Sequence, residues 1–238
     1  FILLVRPSFT DNKNVFIYPL IENMYLNVER KKHINKNEII IGYHGNSVHL
    51  NHLNLSFNKA IEKIKEEYKE ILKIKLLVIT NSLNNWKKKN RPNIDIEFKK
   101  WKIKTIRNDL MDMDIGIVPT ISHFKNNHKD FDNSIGKYNS DINIRFKNKS
   151  NNGRSLVFFQ LGIPVIADYT PSNMHILGDE QNGYAVLSSY GWYNALEKLL
   201  CEKKRQEIAN NAYNEYQKKY NHLKWSKKLY KEIKNIVP

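Results

Sequence analysis

The sequence predicts an α/β protein built on a parallel sheet, and three observations carry that expectation. Short apolar runs rich in branched residues, such as Glu38-Ile-Ile-Ile-Gly42, Leu76-Leu-Val-Ile-Thr80 and Asp114-Ile-Gly-Ile-Val118, read as strands buried on both faces. Segments of helical period lie between them, and strand, helix, strand in repetition requires parallel pairing. At 238 residues with 41% hydrophobic side chains, the chain is long enough to build a proper core.

The elements follow in order. Residues 1 to 20 hold two short apolar segments, Phe1-Ile-Leu-Leu-Val5 and Val15-Phe-Ile-Tyr-Pro-Leu20, around the turn-rich SFTDNKN. The polar stretch with Glu29-Arg-Lys-Lys-His33 reads as a connector. After the run from Glu38 comes a turn, Tyr43-His-Gly-Asn-Ser47. Apolar residues at 57, 60, 61, 64, 68, 71 and 72 then mark the clearest amphipathic helix. Leu76 to Thr80 is the next strand and Ile94 to Phe98 the third, with alternating character. Thr105 can cap a helix carrying Ile106, Leu110 and Met111, before the strand that Pro119 closes. Residues 121 to 152 break the rhythm with a long polar segment, which inside a compact fold is usually functional or mobile.

NNGRSLVFFQLGIPVIADY, residues 151 to 169, reads as loop, buried helix, tight turn and buried strand, with Gly162 ending the helix and Pro164 unable to continue it. The first backbone N–H groups of such a helix are unpaired and suit an anion. Tyr184 to Leu187 is a last strand, Trp192 to Leu200 a helix, and residues 203 to 236 two more. The expected fold over residues 38 to 238 is therefore a Rossmann-like, doubly wound parallel sheet with C-terminal helices.

In such a sheet, ligands bind outside the carboxyl ends of the strands, and the polar residues of this sequence gather there. Gly45, Asn46 and His49 follow the first of these strands, Thr80 and Asn81 the second, Trp101 and Lys102 the third, Pro119 and Thr120 the fourth. Gly153, Arg154 and Ser155 lie ahead of the buried helix. Apart from the glycines and Pro119 they offer donors or an aromatic face, without a close carboxylate pair, as a phosphate-bearing ligand requires.

These blocks, in order and spacing, resemble the C-terminal domain of GT-B glycosyltransferases of the group 1 family: IIIGYHGNSVHL, LLVIT, IEFKKWKIKTIRNDLMDMDIGIVPT, GRSLVFFQLGIPVIAD and GYAVLSSYGWYNALEKLL. The resemblance implies a donor-binding domain at 38–238, with residues 1–37 the remnant of an acceptor domain plus hinge. It implies a hexosyltransferase-like activity using a nucleotide-sugar co-substrate and no other cofactor or metal, on an acceptor that is a glycan, lipid or protein. Arg154 stands where the family usually has lysine, ten residues before Pro164, with the implied catalytic role of neutralising the donor diphosphate. The donor-binding set it implies is Gly45, Asn46, His49, Thr80, Trp101, Lys102, Pro119, Thr120, Gly153 and Ser155. Many members carry two glutamates eight residues apart; here those positions are Lys149 and Val157.

Composition bounds the rest. Lys and Arg number 39 against 24 Asp and Glu, a formal charge of +15 that invites a polyanion or an anionic membrane. No nucleic-acid motif accompanies it, and Lys, Asn and Ile are abundant throughout, so nucleic acid is not the expected partner. Cys201 is the only cysteine, which excludes a disulfide framework and fits a cytoplasmic setting, with peripheral contact at the inner membrane face compatible with the charge. His44, His49 and His52 lack a carboxylate near them in sequence and do not read as a metal site. Phe1 opens the chain inside an apolar run, so an N-terminally truncated fragment is expected. Two other readings compete: a nucleotide- or anion-binding module without turnover, and a basic nucleic-acid-binding protein.

Overall fold

The structure, a computed structural model, describes residues 2–4, 15–19, 21–120, 152–178 and 180–235. Strands β1 (Ile2–Leu4) and β2 (Val15–Ile17) pair in parallel as a small sheet of their own. The long polar segment at 121–151 lies outside the described residues.

The main sheet has six strands, all parallel. They are β3 (Glu38–His44), β4 (Lys73–Thr80), β5 (Asp95–Lys100), β6 (Ile115–Val118), β7 (Val165–Asp168) and β8 (Tyr184–Val186). Their order is β5-β4-β3-β6-β7-β8. The chain thus winds outward one way from β3, returns to β6 beside it and winds out the other way. This is the doubly wound order, and its switch point falls between β3 and β6, where a crevice opens at the carboxyl ends.

Helices cover both faces. The α1 helix (Phe57–Tyr68) buries Phe57, Ala60, Ile61 and Ile64 and packs with α5 (Ser189–Leu200) on one face. Ile71, counted in the same stripe from sequence, lies past the helix end and is 69% exposed. On the other face lie α2 (Ile106–Met111), α3 (Gly153–Leu161) and α6 (Glu202–Lys219), whose apolar residues form the second core cluster. A short α4 (Pro171–Ile176) follows β7, and α7 (His222–Lys234) follows α6. Thr105 occupies the position before α2 but its side chain makes no capping bond.

Close packing of α3 on the sheet depends on Gly116 in β6. A Cβ built there would fall 2.7 Å from the Phe158 ring, so only a hydrogen lets this helix sit so low. Gly162 ends α3 at φ +70°, a left-handed conformation that suits glycine and turns the chain into β7. Gly153, Arg154 and Ser155 differ from their sequence reading in one respect: they are the first turn of α3 itself, not a loop ahead of it. Ser155 faces the core, fully buried.

Candidate functional site

At the switch point the chain leaves β3 through Gly45 at φ +129°, its N–H still donating to the Ile79 carbonyl at 3.1 Å. Asn46 then starts a 3-10 helix over Ser47–Leu55, its side chain accepting from the Val48 N–H. The last side chain of β3 facing this turn is Tyr43. It is fully buried, and its hydroxyl donates to the Asn46 carbonyl at 2.7 Å.

Arg154 reaches into the same place from the first turn of α3. Its guanidinium donates to the Tyr43 hydroxyl at 3.1 Å and lies 5.6 Å from the centre of that ring. A Cβ added to Gly45 would sit 3.3 Å from Arg154 Cδ, so the Gly45 turn and the start of α3 are in van der Waals contact. Sequence reasoning placed these two segments side by side, and they are. Burial raises the Tyr43 hydroxyl above its ordinary value against the opposing charge of Arg154. Among the described residues no carboxylate pairs with Arg154. Its partner is a neutral phenol, and a cation there opposes the helix dipole.

Behind Arg154 lies His44, its ring edge-on to Phe158 at 5.1 Å. Burial, with the Arg154 charge second, lowers its pKa to about 3, so the imidazole is neutral at any ordinary pH. His49 and His52 lie along the 3-10 helix, His52 Nε2 standing 3.7 Å from Asp168 Oδ2. Among the described residues no group of three His, Cys, Asp or Glu is placed to hold a metal ion.

A cleft of about 430 Å3 extends from Gly45 across the ends of β4 and β5. Gly45, Asn46, Thr80 and Trp101 of the expected set line it, with Asn81 as well. Trp101 is 40% exposed, and its backbone N–H donates to the Thr80 carbonyl at 3.0 Å. Trp192, by contrast, is a core residue. His49, Lys102, Pro119, Thr120, Gly153 and Ser155 do not line the cleft. Lys102 is exposed and uses its carbonyl to start α2, while Pro119 and Thr120 are buried, the Thr120 N–H donating to Asp168 at 2.7 Å. Sequence reasoning missed Tyr43, which holds Arg154, and the lining residues Ser47, Ser82 and Asn85. The polar run Asn81-Ser82-Leu83-Asn84-Asn85 directly after a buried strand was the available signal for the last two. Val157, at the position of the second family glutamate, is buried in the apolar cluster; Lys149 lies outside the described residues.

This doubly wound sheet is also the fold of solved glycosyltransferase structures. The chain has the GT-B fold. A variant of S. aureus TarM, solved with fondaparinux, alpha-GlcNAc-glycerol and UDP, superimposes with a TM-score of 0.63 at 13% identity, over 93% of this chain and 40% of that one. Sucrose-phosphate synthase from Thermosynechococcus elongatus gives 0.61 at 11% identity, over 98% and 57%. Anabaena HepE in complex with UDP and glucose gives 0.56 at 10% identity, over 83% and 48%. The chain thus spans roughly half the length of these structures. No protein-family model and no curated protein sequence matches it. Among the described residues no helix is long and apolar enough to cross a membrane.

Proposed function

We propose that this chain is the donor-binding half of a glycosyltransferase that moves a sugar from a nucleoside diphosphate sugar to an acceptor. The observation that carries the reading is Arg154 held against Tyr43 and the Gly45 turn at the switch point of a GT-B sheet, with no carboxylate partner among the described residues. UDP in the TarM and HepE structures supports a nucleotide of this class.

In this reading the diphosphate lies on the α3 N-terminus, between Arg154 and the backbone of the Gly45 turn. As the bond from sugar to phosphate breaks, negative charge builds on the leaving diphosphate, and a cation fixed there stabilises it most when the charge is greatest. The cleft beyond Gly45 takes the nucleoside, with Trp101 as an aromatic wall and the amides of Asn81 and Asn85 facing the base. The nucleotide sugar is co-substrate, and no metal or further cofactor enters. The acceptor and the groups that activate it belong to the rest of a two-part machine, since bringing both reactants together supplies much of the rate.

Binding calorimetry with UDP, GDP and a polyanion at two salt concentrations tests it. A pocket for one nucleotide shows base preference and modest salt dependence, whereas polyanion binding collapses with salt. Arg154→Ala should weaken nucleotide diphosphate binding by about 1.5–3 kcal/mol, the worth of a hydrogen bond to a charged group. Unchanged affinity in that variant would remove Arg154 from the site. A second reading, a nucleotide-binding module without turnover, is favoured by the apolar Val157, and sugar release from a UDP-sugar by the complete protein separates the two.

A further inference from the structure

The cleft that runs from Gly45 across the ends of β4 and β5 is flanked by positive charge that does not line it. The described residues in its lining are all uncharged. On one side, Asn85 of the lining is followed, past the core residue Trp86, by Lys87, Lys88 and Lys89, all exposed. On the other, Trp101 stands between the exposed Lys100 and Lys102, with Lys104 and Arg107 exposed further along. Over residues 81–94 and 98–108 the sequence has nine Lys and Arg and no Asp or Glu.

A general excess of lysine does not produce this pattern. The α1 helix carries three Lys and three Glu. Lys99, on β5 itself, spends its charge on Glu97, Asp109 and Asp112. The two cationic loops are also fixed in place. β4 and β5 pair side by side with Thr80 opposite Lys100, and the Trp101 N–H closes on the Thr80 carbonyl, so both loops leave the sheet together. The first makes a 3-10 turn at Lys88–Asn90, pinned where Asn51 Oδ1 accepts the Lys87 N–H at 2.9 Å and where Arg91 lies 5.1 Å from the centre of the Trp86 ring.

The position of these charges decides what they can do. Lys100 and Lys102 adjoin a lining residue and Lys87 follows one by two positions, so they act on the mouth within about 8 Å, the Debye length at physiological salt. A cation touching a bound ligand slows its departure, whereas one at the rim mainly speeds arrival and makes it salt-dependent. One-signed charge around a cleft focuses the field into it and raises the arrival rate of an opposite charge by about 10–1,000-fold.

We propose that this rim is an electrostatic funnel for an anionic nucleotide, drawing the donor to the cleft while Arg154, beside Gly45 at its inner end, holds it. The identity of the ligand rests on the function proposed above, in which the donor is a dianion.

The test follows binding of ribose-labelled fluorescent UDP to the 238-residue chain by stopped flow at about 20 and 500 mM salt, where the Debye length is roughly 20 and 4 Å. Lys87→Ser, Lys88→Ser and Lys89→Ser combined should lower the association rate about three- to tenfold at low salt, leave dissociation unchanged, and lose the effect at high salt. Lys104→Ser with Arg107→Ser should act in the same direction from the other wall. Lys227→Ser, Lys231→Ser and Lys234→Ser remove as much charge from α7, which does not line the cleft, and should alter association less than about twofold. An unchanged association rate in the Lys87 to Lys89 variant, an equal fall in the α7 variant, or a change confined to dissociation overturns the funnel. UDP that binds with base preference but arrives equally fast in every variant would leave the proposed function standing without it. No UDP binding by the parent chain overturns both.

Discussion

Lys31 and Arg154, cations at opposite ends of the main sheet, are held in different ways. At the amino end, the connector before β3 brings Lys31 and Lys36 onto Asp114, at 3.2 and 2.6 Å. The Asp114 carboxylate also accepts from the Ile40 N–H at 2.9 Å, and Lys31 donates to the Met111 carbonyl at 2.7 Å. Buried Arg205 donates to the carbonyls of Leu199, Leu200 and Ile34. Each of these charges is answered by anion or carbonyl, and together they tie residues 31 to 36 to the sheet. At the carboxyl end Arg154 leans on a phenol. A charge answered within the fold holds structure together, whereas one held in place with no carboxylate partner among the described residues is open to a ligand.

The largest expected effect breaks the amino-end arrangement. Asp114→Asn would leave the largely buried Lys31 without its carboxylate, held by the Met111 carbonyl, which should cost about 3 kcal/mol of stability in urea unfolding. Nucleotide affinity at the far edge should not change. A variant as stable as the parent would show that the connector is held by something other than this pair.

Acid should come next, acting through a buried histidine at each end. His33, bonded through Nε2 to the Gly162 carbonyl, has its pKa lowered by burial to about 4, and His44 by burial and Arg154 to about 3. The unfolded imidazoles take protons below about 6.5, the folded ones only near those lower values, so the unfolded state binds more protons in between. Stability is therefore whole above pH 6.5 and falls as pH drops toward 4 and 3, by roughly 2 kcal/mol for the two together at pH 5.5. Asp114 adds nothing between about pH 7 and 5.5. Burial raises its carboxyl, but Lys31, Lys36 and the Ile40 N–H outweigh that and hold it below its ordinary value, so its contribution fades only in stronger acid. A urea midpoint flat from pH 7 to 5.5 would mean the imidazoles are solvated.

A smaller effect should follow Gly45→Ala. The φ of +129° disfavours a side chain by about 1 kcal/mol. The new methyl would also lie 3.1 Å from the Tyr43 hydroxyl, which is fixed by bonds to Asn46 and Arg154. Stability and nucleotide affinity should both fall, unlike the Asp114 variant, which touches stability alone. Intact affinity would place the phosphate away from this turn.

How far the sequence could be read depended on how local each signal was. The core strands and α1 declare themselves because buried runs and a regular apolar stripe are properties of neighbouring residues. The 3-10 helix was missed because its buried apolar residues Leu50 and Leu53 are three apart, a spacing that fits its own period but is too short a pattern to stand out. Helix α4 was missed for its brevity, although Thr170 capping the Asn173 N–H with Pro171 behind it is a helix start that the sequence does carry. The meeting of Gly45 with Arg154 was legible through the switch-point rule. The contact that holds Arg154 was not, since Tyr43 looks like any other strand aromatic until the fold brings it to Arg154 from 111 residues away.

The smallest effect on stability is the sharpest test of the contrast between the two ends. In Arg154→Ala the fold loses a cation near the Tyr43 ring and its bond to the Tyr43 hydroxyl, together worth about 1 kcal/mol at a partly exposed position. It also loses a charge that opposes the dipole of α3, whose removal returns about 0.3–1 kcal/mol. Tyr43 keeps its bond to the Asn46 carbonyl, so no buried donor is orphaned. The two terms nearly cancel, and the melting temperature should stay within a degree or two of the parent while nucleotide binding falls. Asp114→Asn should do the reverse. A loss of several degrees in Arg154→Ala would make Arg154 a structural cation like Lys31, and the distinction between the two ends of the sheet would fail.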